Sequence, residues 1–147
     1  MRFTTRILPV VLGTALVLPA LTQAAELERL TAPEGASVYM ISPQDGAVVS
    51  SPVTIRMGLE GMGVAPAGVE AEATGHHHLL IDTPLDEVDL SEALPATDNM
   101  VHFGGGQTET SIELEPGEHQ LQLLFNDYRH VSFDPPLASD VITITVE

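Results

Sequence analysis

The sequence contains no cysteine and no lysine, and each absence removes a group of functions from consideration. Without cysteine the chain has no disulfide, no thiol nucleophile and no attachment point for a lipid anchor after its apolar N-terminal run. The run Gly104-Gly105-Gly106 is not followed by the residues of a phosphate-binding loop, so nucleotide binding is not indicated. No serine stands in a motif that would activate it. The sequence therefore predicts a protein that is not an enzyme.

Positive charge is scarce throughout the chain. Beyond residue 24 only Arg29, Arg56 and Arg129 are basic, against all 21 acidic residues, which gives a formal charge of −18. Such a surface repels nucleic acid and anionic lipid and attracts cations. It also suits a salty medium, in which counterions screen the self-repulsion. We therefore expect no nucleic-acid partner and a halophilic or salt-tolerant source. The sequence indicates no particular protein partner.

Residues 1–24 have the features of a secretory signal peptide. Arg2 and Arg6 form a basic start, an apolar run follows, and Thr22-Gln23-Ala24 supplies the small residues that a signal peptidase reads. The apolar run is shorter than the ~20 residues that a membrane-spanning helix needs. We expect cleavage after this segment and export to the periplasm without membrane insertion. The mature chain, residues 25–147, is expected to form a single domain.

Period-two alternation of apolar residues, interrupted by turn residues, dominates the mature chain. In the clearest case Thr110, Ile112 and Leu114 alternate with charged or polar residues, which predicts one buried and one exposed face. About seven short strands are predicted in this way, over residues 38–41, 53–59, 76–82, 110–114, 119–125, 128–133 and 141–146, with a further, very short one at 101–103. The predicted fold is all-β, an antiparallel, immunoglobulin-like β-sandwich, with a small barrel as the alternative.

Proline and glycine mark the segments between these strands. Residues 61–74 begin with a stretch rich in both, so we expect a loop that packs beside the following strand. Residues 83–99 are predicted to contain at most one helical turn. Asp134-Pro135-Pro136 is predicted to end the strand that precedes it.

Several short motifs resemble a known bacterial family. They are GMGVAPAG at residues 61–68, TGHHHLLID at 74–82, HFGGGQTE at 102–109, PGEHQLQLL at 116–124 and the C-terminal stretch 139–146. In this combination they resemble the exported proteins catalogued as domain of unknown function 4399, over most of residues 60–147. The resemblance implies a small exported β domain. It implies no activity, so any functional conclusion depends on the residues themselves.

Half of the six histidines stand together, at His76, His77 and His78. Side chains alternate along a strand, so His76 and His78 share one face, whereas His77 points to the other face with Leu79 and Ile81. A His-x-His pair can chelate a metal when a neighbouring strand supplies a further ligand. Imidazole favours copper, zinc and nickel among the metals.

Further ligands must come from elsewhere in the chain. His102 and His130 are the candidates, because each is predicted in a short strand near a loop. Asp82, Asp127 and Met100 are weaker candidates.

Two functions remain open on the sequence. In the first, a non-catalytic periplasmic protein binds a divalent transition metal, copper or zinc, through His76, His78 and one of His102 or His130. In the second, the histidines are structural, each ring bonded to backbone groups, and the acidic face meets a protein or glycan. Ring nitrogens that converge on one point would favour the metal-binding function. His119 shares its face with apolar residues and is assigned to the core edge, with one hydrogen-bond partner.

Overall fold

The computed structural model describes residues 27–147, which contain ten strands and one short 3-10 turn. The strands are β1 (Ser37–Ser42), β2 (Val48–Val49), β3 (Val53–Glu60), β4 (Gly63–Val64), β5 (Thr74–Ile81), β6 (Met100–His102), β7 (Glu109–Ile112), β8 (Gly117–Asn126), β9 (Ser132–Ala138) and β10 (Ile142–Val146). The 3-10 turn, Leu85–Glu87, is the single helical turn expected between β5 and β6. The expected signal peptide, residues 1–24, lies outside the described residues.

The ten strands form two sheets. One has three strands in the order β1-β3-β7, and the other has seven, in the order β2-β10-β8-β5-β4 with β6 beside β5 and β9 beside β8. All pairings are antiparallel except β2 with β10 and β4 with β5, which are short and parallel. The predicted all-β fold with antiparallel sheets is confirmed. The strand number exceeds the predicted seven because two- and three-residue strands are too short to show an alternation.

The hydrophobic core lies between the two sheets and follows the predicted alternation. Val53, Ile55 and Met57 of β3 are buried in it, as are Ile142, Ile144 and Val146 of β10. In β7 the apolar residues are half-buried against this core and their charged neighbours are exposed. Each buried aliphatic side chain contributes about 1.5–3 kcal/mol relative to exposure, so this register is strongly specified.

The seven-stranded sheet is also buried on its outer face, over part of β5 and β8. Every residue from Gly75 to Ile81 is buried. Leu80, Leu124 and Val131 are buried without belonging to the core between the sheets. The segment between β5 and β6 reaches this face, where the Leu94 amide donates to the His130 carbonyl at 3.0 Å. A second, smaller buried layer therefore lies outside the sandwich.

The strand predicted over residues 128–133 is wrong. Those residues open with a turn, and β9 begins only at Ser132 and continues through the Asp134-Pro135-Pro136 segment that was predicted to end it. The turn closes because the Asp127 carboxylate accepts backbone N–H bonds from Arg129 and Val131. The two prolines are tolerated in β9 because they are exposed at positions that make no ladder pairs with β8.

Candidate metal centre

Strand β5 divides the three consecutive histidines between two environments, as the alternation predicted. His77 is paired in register with Phe125 and points into the core, where the two rings meet edge to face with centroids 5.0 Å apart. His76 and His78 point to the outer face, where they stand opposite Asn126 and Leu124. The outer layer therefore receives two imidazoles from one strand.

His102 and His130 complete a cluster of four imidazoles on this outer face. His102 belongs to β6 and is paired in register with His78, and its ring centroid lies 5.0 Å from those of both His76 and His78. The His130 centroid is 4.6 Å from that of His102 and 5.0 Å from that of His76. These four residues, which we call the histidine cluster, are the four that the sequence indicated as candidate ligands.

Three members of the cluster converge more closely than the fourth. One ring nitrogen from each of His76, His102 and His130 lies within 4.8 Å of the others. Metal–nitrogen bonds of about 2.0–2.1 Å in a tetrahedron place ligand atoms roughly 3.3 Å apart, so small ring rotations would complete such a set. The His78 ring is 4.9 Å from His76 but 6.2 Å from His130, measured between centroids. His78 is therefore a candidate fourth ligand that lies farther from His130 than the other two histidines do.

Five buried ring nitrogens of the cluster lack protein hydrogen-bond partners. His76 and His78 are completely buried, and neither nitrogen of either ring makes a hydrogen bond to a protein group in the structure. Nε2 of His102 is likewise buried and unpartnered. A buried unsatisfied polar group costs about 1–3 kcal/mol, so this arrangement is unfavourable without a ligand. Separate bonding of each ring to backbone, which the structural alternative requires, is not observed for these rings.

The electrostatics keep three rings of the cluster, those of His76, His78 and His102, neutral near physiological pH. Burial, with a smaller effect of the neighbouring His130 and His102, lowers the pKa of His76 from 6.5 to about 4. Burial likewise lowers the pKa of His78 to about 3, and it lowers the pKa of His102. A neutral imidazole presents the lone pair that a metal requires, because protonation blocks it. These three rings are therefore in the protonation state that a metal ligand needs.

A buried carboxylate fixes the turn that carries His130. Both Asp127 oxygens are occupied: Oδ2 accepts from the Arg129 side chain at 2.6 and 2.9 Å, and Oδ1 accepts the two amides that close the turn. The His130 carbonyl accepts from Leu94 N–H and from Asn126 Nδ2 at 3.2 Å. These bonds hold His130 at a φ of 69°, a region sparsely populated by non-glycine residues. Asp127 is thus a support of the site, with no free oxygen to offer a metal.

Glycine at position 104 allows the close packing around His102. A Cβ built on Gly104 would lie 2.3 Å from Cε1 and 2.7 Å from Nε2 of the His102 ring. The Gly104 carbonyl also accepts the Ala67 amide at 2.9 Å, and the Gly68 amide donates to the Tyr128 carbonyl at 2.9 Å. The expected packing of residues 61–74 beside the histidine strand is confirmed, and this loop ties together the segments that carry His102 and His130.

One side of the cluster faces the surface. His102 is only half-buried, and it borders a shallow depression of about 370 Å³ that is also lined by Ala96, Thr97, Asp98, Met100 and Val101. Met100, a weaker candidate ligand, pairs in register with Leu80 and so lies on the cluster's face of the sheet. The depression provides a route by which an ion could reach His102.

His119 lies outside the cluster, at the opposite end of β5. Its Nδ1 donates to Asp82 Oδ2 at 2.7 Å and its Nε2 donates to the Glu115 carbonyl at 2.9 Å, two partners where one was predicted. Because both nitrogens face acceptors, the protonated ring is favoured, and the hydrogen bond that His119 donates to Asp82 raises the pKa of His119. Asp82 also accepts the Gln120 amide, so this weaker candidate is committed to structure far from the cluster.

The sequence pattern did not reveal which residues support the histidine cluster. Asn126-Asp127 was recognised only as a turn, and the triple glycine only as a close approach of backbone. An Asp side chain that accepts the backbone N–H of the residue two positions later is typical of such turns. The turn at Asp127 could therefore have been predicted from the sequence. The contact of Gly104 with His102 depends on tertiary packing and has no local signal.

Comparison with known proteins identifies the family of the chain and does not identify an activity. The family model described as Domain of unknown function (DUF4399) matches residues 55–147. The chain belongs to this family. No curated protein and no solved structure matches it. The matched range runs from β3 to the end of the chain and includes the whole histidine cluster, so the cluster lies within the part of the chain that defines this DUF4399 protein. Within residues 27–147 no helix has the length and hydropathy that crossing a bilayer requires.

Proposed function

We propose that this DUF4399 protein is a non-catalytic, exported protein of the periplasm that binds one transition metal ion, copper or zinc, through His76, His78, His102 and His130. The observation that supports this most directly is the clustering of four imidazoles, two of them completely buried, in which five buried ring nitrogens have no protein partner. A bound ion would satisfy three or four of those nitrogens at once. Imidazole is a donor that suits copper and zinc, and the clustered side chains are all imidazoles.

The second candidate function, a structural or interaction module of the envelope, is supported by a different observation. Asp82 and His119 form an ion pair at 2.7 Å that joins β8 to the end of β5, and there a histidine serves structure alone. If the cluster acted in the same way, its rings would have partners of this kind. The contrast between His119, with two partners, and His76, with none, favours metal binding for the cluster.

The test is a thermal unfolding titration of the protein, purified with a tag that contains no histidine. Binding of copper or zinc to the folded state alone at 100 times Kd stabilises it by about 2.7 kcal/mol. For a domain of this size that stabilisation corresponds to a rise in Tm of roughly 10 °C. His130→Ala should remove most of this rise in Tm, because it deletes one of the converging imidazoles. The turn itself should persist, since residue 130 takes part in it through its backbone. His119→Ala, the same change outside the cluster, should keep the rise although the variant is less stable.

Magnesium is the control for loose binding to the acidic surface, since it does not bind imidazole well. Equal Tm shifts with Mg(II) and with copper or zinc would contradict the proposal. So would an undiminished copper or zinc shift in His130→Ala. In either case the envelope-module function would stand.

A further inference from the structure

The histidine cluster contains no negative charge that could neutralise a divalent ion. The side chains that converge are all histidines, and no Asp or Glu within residues 27–147 joins the group. The buried carboxylate close enough to influence His76 is Asp127. Its charge is compensated by the Arg129 guanidinium, which contacts Oδ2 through two nitrogens. A dication in this site would therefore keep its full local charge.

The number of closely convergent ligands is three. Ligand atoms of His76, His102 and His130 lie within 4.8 Å of one another, whereas the His78 ring is 6.2 Å from His130. Zinc in a closed protein site takes four tetrahedral ligands. Imidazole suits copper as well as zinc, and monovalent copper, a closed-shell ion, accepts three ligands. The convergent trio thus matches the coordination of Cu(I) without further movement of His78.

The charge of the ion affects which ion the cluster prefers more strongly than the number of ligands does. The cost of moving an ion from water into a poorly polarisable interior grows with the square of its charge, so a dication costs about four times as much as a monocation of the same size. Carboxylate or thiolate ligands bring negative charge that offsets part of that cost for Zn(II), whereas neutral imidazoles bring no charge. The formal charge of −18 on the mature surface attracts every cation, and salt screens it over about 10 Å at 0.1 M ionic strength. The local charge balance at the cluster therefore sets the preference.

We propose that the histidine cluster binds copper as Cu(I) in preference to Cu(II) and Zn(II), with His76, His102 and His130 as the primary ligands and the Asp127–Arg129 pair setting the charge preference. This inference rests on the proposed function and goes further by naming the oxidation state of the ion. The half-buried edge of His102 at the surface depression is where a reduced copper ion enters.

Two measurements on the full protein test the preference. Cu(I) affinity is measured anaerobically with ascorbate as reductant and bicinchoninate as competitor, and Cu(II) and Zn(II) affinities with chelators of known strength. The Kd for Cu(I) should be at least 100-fold lower than that for Cu(II) or Zn(II). By voltammetry the bound copper couple should then lie at least about 118 mV above that of free copper, at 59 mV per tenfold. The preference would be overturned if Zn(II) or Cu(II) bound as tightly as Cu(I) or more tightly, and if that binding were lost in His130→Ala. The proposed function would then remain intact. Failure of all three ions to bind would overturn both.

A charge-matched pair of variants tests the cause of the preference. Arg129→Gln removes the cation that compensates Asp127, while the backbone bond from residue 129 to Asp127 remains possible. It should shift the Cu(I)-to-Zn(II) affinity ratio at least tenfold towards zinc. Arg56→Gln deletes an arginine from an exposed pair with Glu109 on the other sheet and should leave the ratio unchanged.

Arg129→Lys keeps the charge and should keep the parent's ratio, which separates a charge effect from a change in the turn. An unchanged ratio in Arg129→Gln, or an equal change in Arg56→Gln, would refute the assigned role of the Asp127–Arg129 pair. Because the affinities of the unmodified protein are measured first, poor folding of a variant does not remove the test of the preference itself.

Discussion

Substitution of Gly104 by alanine should weaken metal binding while leaving the apo protein folded. Gly104 packs directly on the His102 ring, and an added Cβ would lie 2.3 Å from Cε1. Carbon atoms in ordinary contact are separated by about 3.5–4.0 Å, so the ring or the turn must move by roughly 1 Å. The backbone of Gly104 is not in the left-handed region, so alanine adds no conformational strain of its own there.

The magnitude follows from the precision that a metal centre needs. Ligand constellations work when they are held within about 0.5 Å of the productive geometry, which is half of the displacement expected here. Disturbing the orientation of one ligand typically costs 10–100-fold in metal affinity. Gly104→Ala should therefore raise the Kd for copper by about 10–100-fold. The apo protein should change by less than about 1 kcal/mol, because the smaller entropy of the unfolded chain partly offsets the clash.

The assay is competitive copper titration, paired with urea unfolding of the apo protein. Gly105→Ala is the matched control, since it makes the same change one residue away, where the added Cβ would meet only the flexible Gln107 side chain at 3.1 Å. That variant should bind copper within threefold of the parent. Equal copper affinity in Gly104→Ala and Gly105→Ala would show that His102 is not a ligand or that its position does not matter.

The remaining predictions concern pH. The apo protein should lose stability as pH falls from about 6.5 towards 4, because His76 and His78 protonate near 6.5 when unfolded but resist protonation in the folded state down to about 4 and 3. Urea midpoints at pH 7 and pH 5 measure this, and a His76→Gln variant should show a smaller decrease; an identical decrease would contradict it. Asp82→Asn should cost up to about 1 kcal/mol below pH 6.5 and less as pH rises through the raised pKa of His119. A cost that is constant from pH 6 to 9 would refute this.

Strand alternation was enough to predict the part of the site that β5 supplies. His76 and His78 had to share a face whichever neighbours the strand acquired, and His77 had to point away from them. The same rule placed Ile142, Ile144 and Val146 in the core. These predictions were reliable because the period of a strand is a local property of the backbone.

The surroundings of His130 were not predictable in the same way. The sequence from residue 128 to 133 has apolar and aromatic residues typical of a strand, but the Asp127 carboxylate competes for the same amides and closes a turn. The outcome depends on Arg129, which reaches both Asp127 and the Glu28 carbonyl, 101 residues away in sequence. His130 was nevertheless predicted as a ligand, although from an incorrect secondary structure.

The burial of the cluster is itself an argument for a ligand. Local consistency between sequence and structure is the rule in stable domains, and exceptions gather at functional sites. Here a sheet places two histidines on its outer face and then buries them under an added layer, leaving four ring nitrogens without protein partners. The same chain gives His119 two partners at 2.7 and 2.9 Å, so it can satisfy a histidine where structure is the only requirement. His77 also lacks partners, on the core side, and nothing in the structure explains that. For the histidine cluster, one ion at the point of convergence would turn several unfavourable burials into bonds.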